Sequence, residues 1–261
     1  MPFAAAVLCS AAMTPEPDLQ AALDAVYAVF HGRPRPKTLE AAPTRDPKRV
    51  LAQLSSKSLA ELTSDDINGY MGWAMTTVGS VNDYKHFLPR ILELAVQGPG
   101  RVHMGGDPES LARKIVYGEF AGWPADERAA IVTAFDVAWR QALRTSLEEE
   151  EAEDWLRGLI ALGEPIQERL TSWLESPAPL AGLHLADAVC SEIFRRESAR
   201  PPFGPGNEYT MYEAYSAWLA DGAVRERLNR LTLEIGDDEE AWRLQRALDI
   251  PMPPYPRVWR G

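Results

Sequence analysis

The chain has 261 residues, of which 46% are hydrophobic and 25% charged, with a formal net charge of -11 at pH 7. That is enough apolar material to close a core without disulfide or metal staples, and it excludes global disorder. The acidic balance has the wrong sign for duplex nucleic acid or anionic lipid and suits a basic protein partner.

The two cysteines, Cys9 and Cys190, stand far apart and in no metal-binding spacing, which fits a reducing, cytoplasmic setting. Residues 1–13 read as a disordered leader. Their apolar run, Phe3 to Cys9, lacks a basic flank and falls short of the ~20 apolar residues that cross a bilayer. Met13 would make a natural start, so residues 1–12 read as an upstream start-site artefact.

Beyond the leader, apolar residues recur at three-and-four spacing and no sustained alternation marks strands, so the class is all-α. A first helix is predicted from Pro15 to Phe30, capped by Thr14, with Leu19, Leu23, Val26, Tyr27 and Phe30 inward. Gly32 and Pro34-Arg35-Pro36 end it and open a locally basic loop. Short helices follow over Pro47–Leu54 and from Ser64 or Asp65 to Met75. From Val81 to Gln97 an amphipathic helix buries Tyr84, Phe87, Leu88, Ile91, Leu92 and Ala95, bent at Pro89.

Asp107-Pro108 pairs an N-cap with a first-turn proline and opens a helix with Leu111, Ile115 and Val116 inward. The next carries the stripe Ile131, Val132, Phe135, Ala138, Trp139, Ala142 and Leu143, expected to pack on the helix before it. Trp155–Ala161, Pro165–Leu174 and Leu183–Phe194 continue as shorter helices. The Pro/Gly-rich stretch 200–207 reads as a linker between a main helical domain, 14–199, and a C-terminal part, 208–261. That part holds about three helices and an extended Pro-rich tail, and it is too small to fold well alone, so it is expected to dock on the body. The architecture is an irregular helical bundle or a HEAT-like stack of antiparallel helix pairs, although no fixed repeat of about 40 residues recurs.

Chemistry-bearing residues concentrate on the helix from Val81. Asp83, His86, Arg90 and Glu93, continued by Gln97, step by three and four and form one line on the side away from the core. Read functionally, Asp83 orients His86 and Arg90 binds a carboxylate or phosphate above the apolar stripe. Read structurally, Asp83 favours the helix start and Arg90 pairs with Glu93 or a neighbouring helix, which is the simpler account.

The glycine-rich segment Gly98 to Asp107 carries Arg101 and His103 ahead of a helix N-terminus, a weak anion-site candidate that lacks a P-loop lysine or a preceding strand. No metal site is expected, since His31, His86, His103 and His184 share no ligand spacing, and no cofactor motif occurs. The acidic run Glu148 to Asp154 reads as a solvated helix start or a contact for a basic partner, and Tyr209, Tyr212 and Tyr215 as core and edge packing.

The run Thr76 to Arg90, with Ile91-Leu92-Glu93-Leu94-Ala95 after it, resembles segments of uncharacterised bacterial cytosolic proteins of mostly helical character. The resemblance implies a bacterial source and brings no activity. The expectation is a cytosolic protein-interaction module, an adaptor or immunity-like partner. The alternative is an enzyme or small-molecule binder using Asp83, His86 and Arg90.

Overall fold

Helix starts follow from side chains that satisfy the first-turn N–H groups. Asp46 accepts from the backbone of Lys48 and Arg49 and opens α2, Pro47–Leu54. Thr63 and Asp66 form a capping box for α3, Ser64–Trp73, which begins at the first of the two expected starts. Ser80 and Asp83 do the same for α4, Val81–Val96, and Asp107 caps α5, Pro108–Tyr117.

The computed structural model describes residues 17–98, 105–198, 207–235 and 241–254. Among them are twelve α-helices, beginning with α1, Pro17–Phe30; the expected cap Thr14 and first-turn Pro15 lie outside the described residues. After α5 come α6, Ala125–Ala142; α7, Ala152–Ala161; α8, Gln167–Glu175; and α9, Pro179–Glu197. The chain ends with α10, Asn207–Leu219; α11, Gly222–Ile235; and α12, Ala241–Asp249. Extended backbone pairs only at isolated bridges, Ala41 with Val78 and Ala74 with Val78, among the described residues. The protein is all-α.

The stripe on α6 is buried as predicted at Ile131, Phe135, Ala138, Trp139 and Ala142. Its partner differs from expectation. α6 packs chiefly against α1 and α7, and α5 packs against α7 instead. The reason lies at Gly158 of α7, where a Cβ would stand 2.6 Å from the Phe135 ring of α6 and 3.2 Å from the carbonyl oxygen of Pro108 on α5. A residue without a side chain lets α7 wedge between the two.

α9 is the hub of the second half, touching α7, α8, α10, α11 and α12. Its Glu192 is fully buried. Burial opposes ionisation there, but donors from Ser216, Tyr212 and Arg196 outweigh it and hold the carboxyl below the usual range. Arg196 also donates to the Ser216 carbonyl at 2.8 Å and to Pro253 O at 2.7 Å, tying α10 and the segment after α12 to α9. A line of ring contacts, Trp139–Trp173–Trp218–Tyr215–Tyr212, runs from α6 through α8 into α10 at centroid spacings of 6.4, 5.8, 6.1 and 6.0 Å.

The acidic run is only partly the solvated helix start expected, since Glu148, Glu149 and Glu151 are exposed but two of its acids are not. α7 begins at Ala152, and Glu150 and Glu153 are buried. Trp155 Nε1 donates to Glu150, and Arg195 of α9 pairs with Glu153, which also accepts from the Tyr215 hydroxyl at 3.1 Å. Two of the acids expected to face water therefore find internal donors.

Gly158→Ala should lower stability by about 1–3 kcal/mol, because the added methyl meets a fully buried ring that cannot move aside. Gly222→Ala, where a Cβ would meet nothing within 4 Å, should leave stability unchanged to within about 0.5 kcal/mol. Urea unfolding midpoints of the two variants check the contrast.

Candidate functional site

The row on α4 is half-buried, and each member is engaged by another part of the fold. Asp83 accepts from the Ser80 backbone N–H at 2.7 Å and closes the capping box. Arg90 Nε donates to the Leu62 carbonyl at 2.7 Å, and its guanidinium pairs with Glu93 at 2.6 Å. Glu93 further accepts from the Tyr27 hydroxyl of α1 at 2.6 Å and from Gln97 at 3.3 Å. Burial, then the bond to Glu93, drives the Tyr27 phenol well above its ordinary range. Asp83, Arg90 and Glu93 are thus couplers that cap α4 and tie it to α1 and to the turn before α3. The line of charge faces neighbouring elements instead of open water.

His86 differs. Its Nδ1 lies 2.9 Å from the carbonyl oxygen of Arg33. A carbonyl only accepts, so Nδ1 carries the hydrogen, and Nε2 is left without a partner among the described residues.

Lys85, on the same helix, was given no role in the row, yet it is 5% exposed. Its ammonium reaches Glu127 of α6 at 2.7 Å and sits 4.0 Å from the ring centroid of Trp123. Arg33, just past α1, pairs with the other oxygen of Glu127. Trp123 is itself pinned through Nε1 to the Gly118 carbonyl at 2.7 Å and meets Phe30 edge to face. The chain of contacts runs from Glu127 to Arg33 and, through the Arg33 carbonyl, to His86. Nothing in the local sequence of Lys85 marks it for burial, because its partner lies 42 residues away.

These contacts frame a groove of about 670 Å³ between the end of α1 and α4. Tyr27, Ala28, Phe30, His31 and Arg33 form one side, His86 and Pro89 the other, and Leu59 one end. Among the described residues no carboxylate lines it. His31 is exposed, and its ring has no hydrogen-bond partner among the described residues.

A second groove, about 500 Å³, lies between the α8–α9 turn and α11, where Glu175, Glu226 and Glu234 face Arg227 and Arg230. Arg227 is spent on the Ser176 carbonyl at 3.1 Å, so that groove's charges are largely internal matters.

Asp107 accepts from the Ser110 N–H at 2.8 Å and occupies the N-terminus of α5. Arg101 and His103 lie outside the described residues. His184 is structural: Nε2 meets the Thr145 carbonyl at 2.9 Å, and burial pushes its pKa down. Cys190 is half-buried, with its Sγ 3.8 Å from the Arg243 carbonyl. Among the described residues no set of three or more His, Cys, Asp or Glu is placed to hold a metal ion, and no helix is long and apolar enough to cross a membrane.

Asp154, in the first turn of α7, is pushed up to about 7 by burial and by the charges of Glu151 and Glu153, with Arg157 opposing. It lines neither groove.

The class these features define is an all-α protein with a largely apolar groove, free of acids among the described residues, at a histidine held by the backbone. Compared with family models, curated proteins and solved structures, the chain matches none.

Glu127→Gln should cost about 3–5 kcal/mol, since it strands Lys85 as a buried cation. Lys85→Met should cost less, about 1–2 kcal/mol, because Arg33 still neutralises Glu127 and the new side chain covers Trp123. Chemical denaturation ranks the two.

An unfolded aspartate ionises near pH 4, whereas folded Asp154 holds its proton to about 7. The folded chain therefore binds the extra proton between those values, and its stability falls as pH rises through them. Asp154→Asn should raise stability by about 1–3 kcal/mol at pH 8 and leave it unchanged at pH 3.5, read from thermal melts at both.

Proposed function

We propose that the chain is a binding protein that holds a small organic molecule in the groove between α1 and α4. The observation that carries the reading is His86. It is the one member of the α4 row with a ring nitrogen left uncommitted, and it opens onto a groove walled by Tyr27, Phe30, Leu59 and Pro89. Small-molecule sites have this character, being concave, mostly apolar and of roughly 300–1,000 Å³, with a few fixed polar groups. Asp83 and Arg90, candidates alongside His86, are spent on the Ser80 cap and on Leu62 and Glu93 and do not line the groove. Catalysis is not part of the proposal, since no nucleophile with an adjacent base lines the groove.

Ala28 is exposed and lines the groove, so Ala28→Trp fills it without disturbing the core. Ligand-observed NMR with a fragment panel should find binders whose affinity falls about tenfold or more in that variant, with the melting temperature unchanged. Binders indifferent to Ala28→Trp would remove the groove from consideration.

The reading as an adaptor or immunity-like module for a basic protein rests on a different observation. In a chain of net charge -11, Leu233 and Trp242 stand 89% and 55% exposed on the C-terminal helices. A pull-down with folded bait that returns no specific basic protein counts against it.

A further inference from the structure

Resting on the groove reading, we infer that the ligand is an organic monocarboxylate with an aromatic or branched apolar body. Acids outnumber bases in this chain, 38 to 27, yet among the described residues none lines the groove, while His31, Arg33 and His86 all do. The charge beside it is also unbalanced. Glu127 is met by two cations, Lys85 at 2.7 Å and Arg33, so this cluster carries one positive charge in excess.

Arg33 spends one N–H group on Glu127 and is half-buried, which leaves its remaining donors for a ligand oxygen. The ring of His31 is likewise uncommitted, while Nε2 of His86, the bare nitrogen of a ring that donates from Nδ1, is free to accept. One carboxylate matches one excess charge, and a planar carboxylate suits a guanidinium edge.

The walls set the other half of the ligand. Phe30 and Pro89 are buried except toward the groove, and the Tyr27 ring and Leu59 extend the apolar surface. An inorganic anion would leave that surface against water, whereas a hydrocarbon would desolvate the Arg33 and His31 donors with nothing to accept from them. A body with the area of one aromatic ring and a short arm answers both demands.

The test titrates the full chain with trans-cinnamate and with cinnamamide, which share a shape and differ in charge, while following the histidine-ring and Tyr27 resonances by NMR. Cinnamate should move the His31 and His86 rings and bind about tenfold or more tightly than the amide. Added salt should weaken the acid alone. His31→Ala, an exposed change that leaves folding intact, should weaken cinnamate about threefold and leave cinnamamide unchanged.

If the amide equals or exceeds the acid at these resonances, or His31→Ala leaves cinnamate binding untouched, the carboxylate inference fails while the groove reading stands. If neither probe moves any groove resonance and the fragment panel gives no binder sensitive to Ala28→Trp, the groove reading falls and takes the inference with it.

Discussion

A single buried carboxylate, that of Glu127, sets the geometry on which the candidate site depends. Taking a carboxylate out of water costs several kcal/mol unless cations and hydrogen bonds replace its hydration. Glu127, 3% exposed, meets that requirement with Lys85 from α4 and Arg33 from the turn after α1, partners 42 and 94 residues away in sequence. Because removing Glu127 would strand the buried Lys85 cation, the three groups hold α1, α4 and α6 in one arrangement where apolar packing alone would allow sliding. Once Arg33 is placed, its carbonyl fixes the tautomer and orientation of His86. The groove is therefore a consequence of an ion cluster behind its wall.

The second half of the molecule repeats the device. Glu192 on α9 is ligated by Arg196, Tyr212 and Ser216, and Glu153 on α7 by Arg195 and Tyr215. These contacts place α10 against both α7 and α9, alongside the line of Trp and Tyr rings that crosses from α6. An acidic chain thus spends part of its negative charge indoors, as hydrogen-bond acceptors between helices that are far apart in sequence. Whether such clusters add net stability over a hydrophobic replacement varies between proteins, but their geometric specificity follows from the short, directional bonds themselves.

What was legible in the sequence divides along the range of the interaction. Caps and stripes are local: Asp46, Ser80 and Asp107 announce their helices, and the buried faces of α4 and α6 follow from spacing. Partner choice is not local. Spacing shows that α6 must bury Phe135, but the wedge at Gly158 that selects α7 over α5 depends on three helices meeting. The row Asp83, His86, Arg90 and Glu93 is a true line on the helix. What covers it, Tyr27, Arg33 O and Leu62 O, arrives from elements whose position spacing does not encode. The acidic run before Trp155 misled for the same reason, since Arg195 and Tyr215 lie on helices well downstream.

The residues around the groove fall into two sets with different physical duties. Glu127, Lys85, Arg90 and Glu93 have their polar atoms committed inside the fold, so changing them alters stability first. His31 and the Nε2 edge of His86 hold nothing together, and Ala28 presents only a methyl group to the groove. Polar groups inside a folded chain are ordinarily matched, and the exceptions among the described residues, the Tyr70 and Thr77 hydroxyls and Trp139 Nε1 among them, lie away from the groove, whereas the His31 ring at the groove stands exposed. A polar edge left open beside an apolar wall is simple to fill. The physical case for a ligand rests on open polar edges, the His31 ring and Nε2 of His86, meeting the apolar wall of Phe30, Leu59 and Pro89.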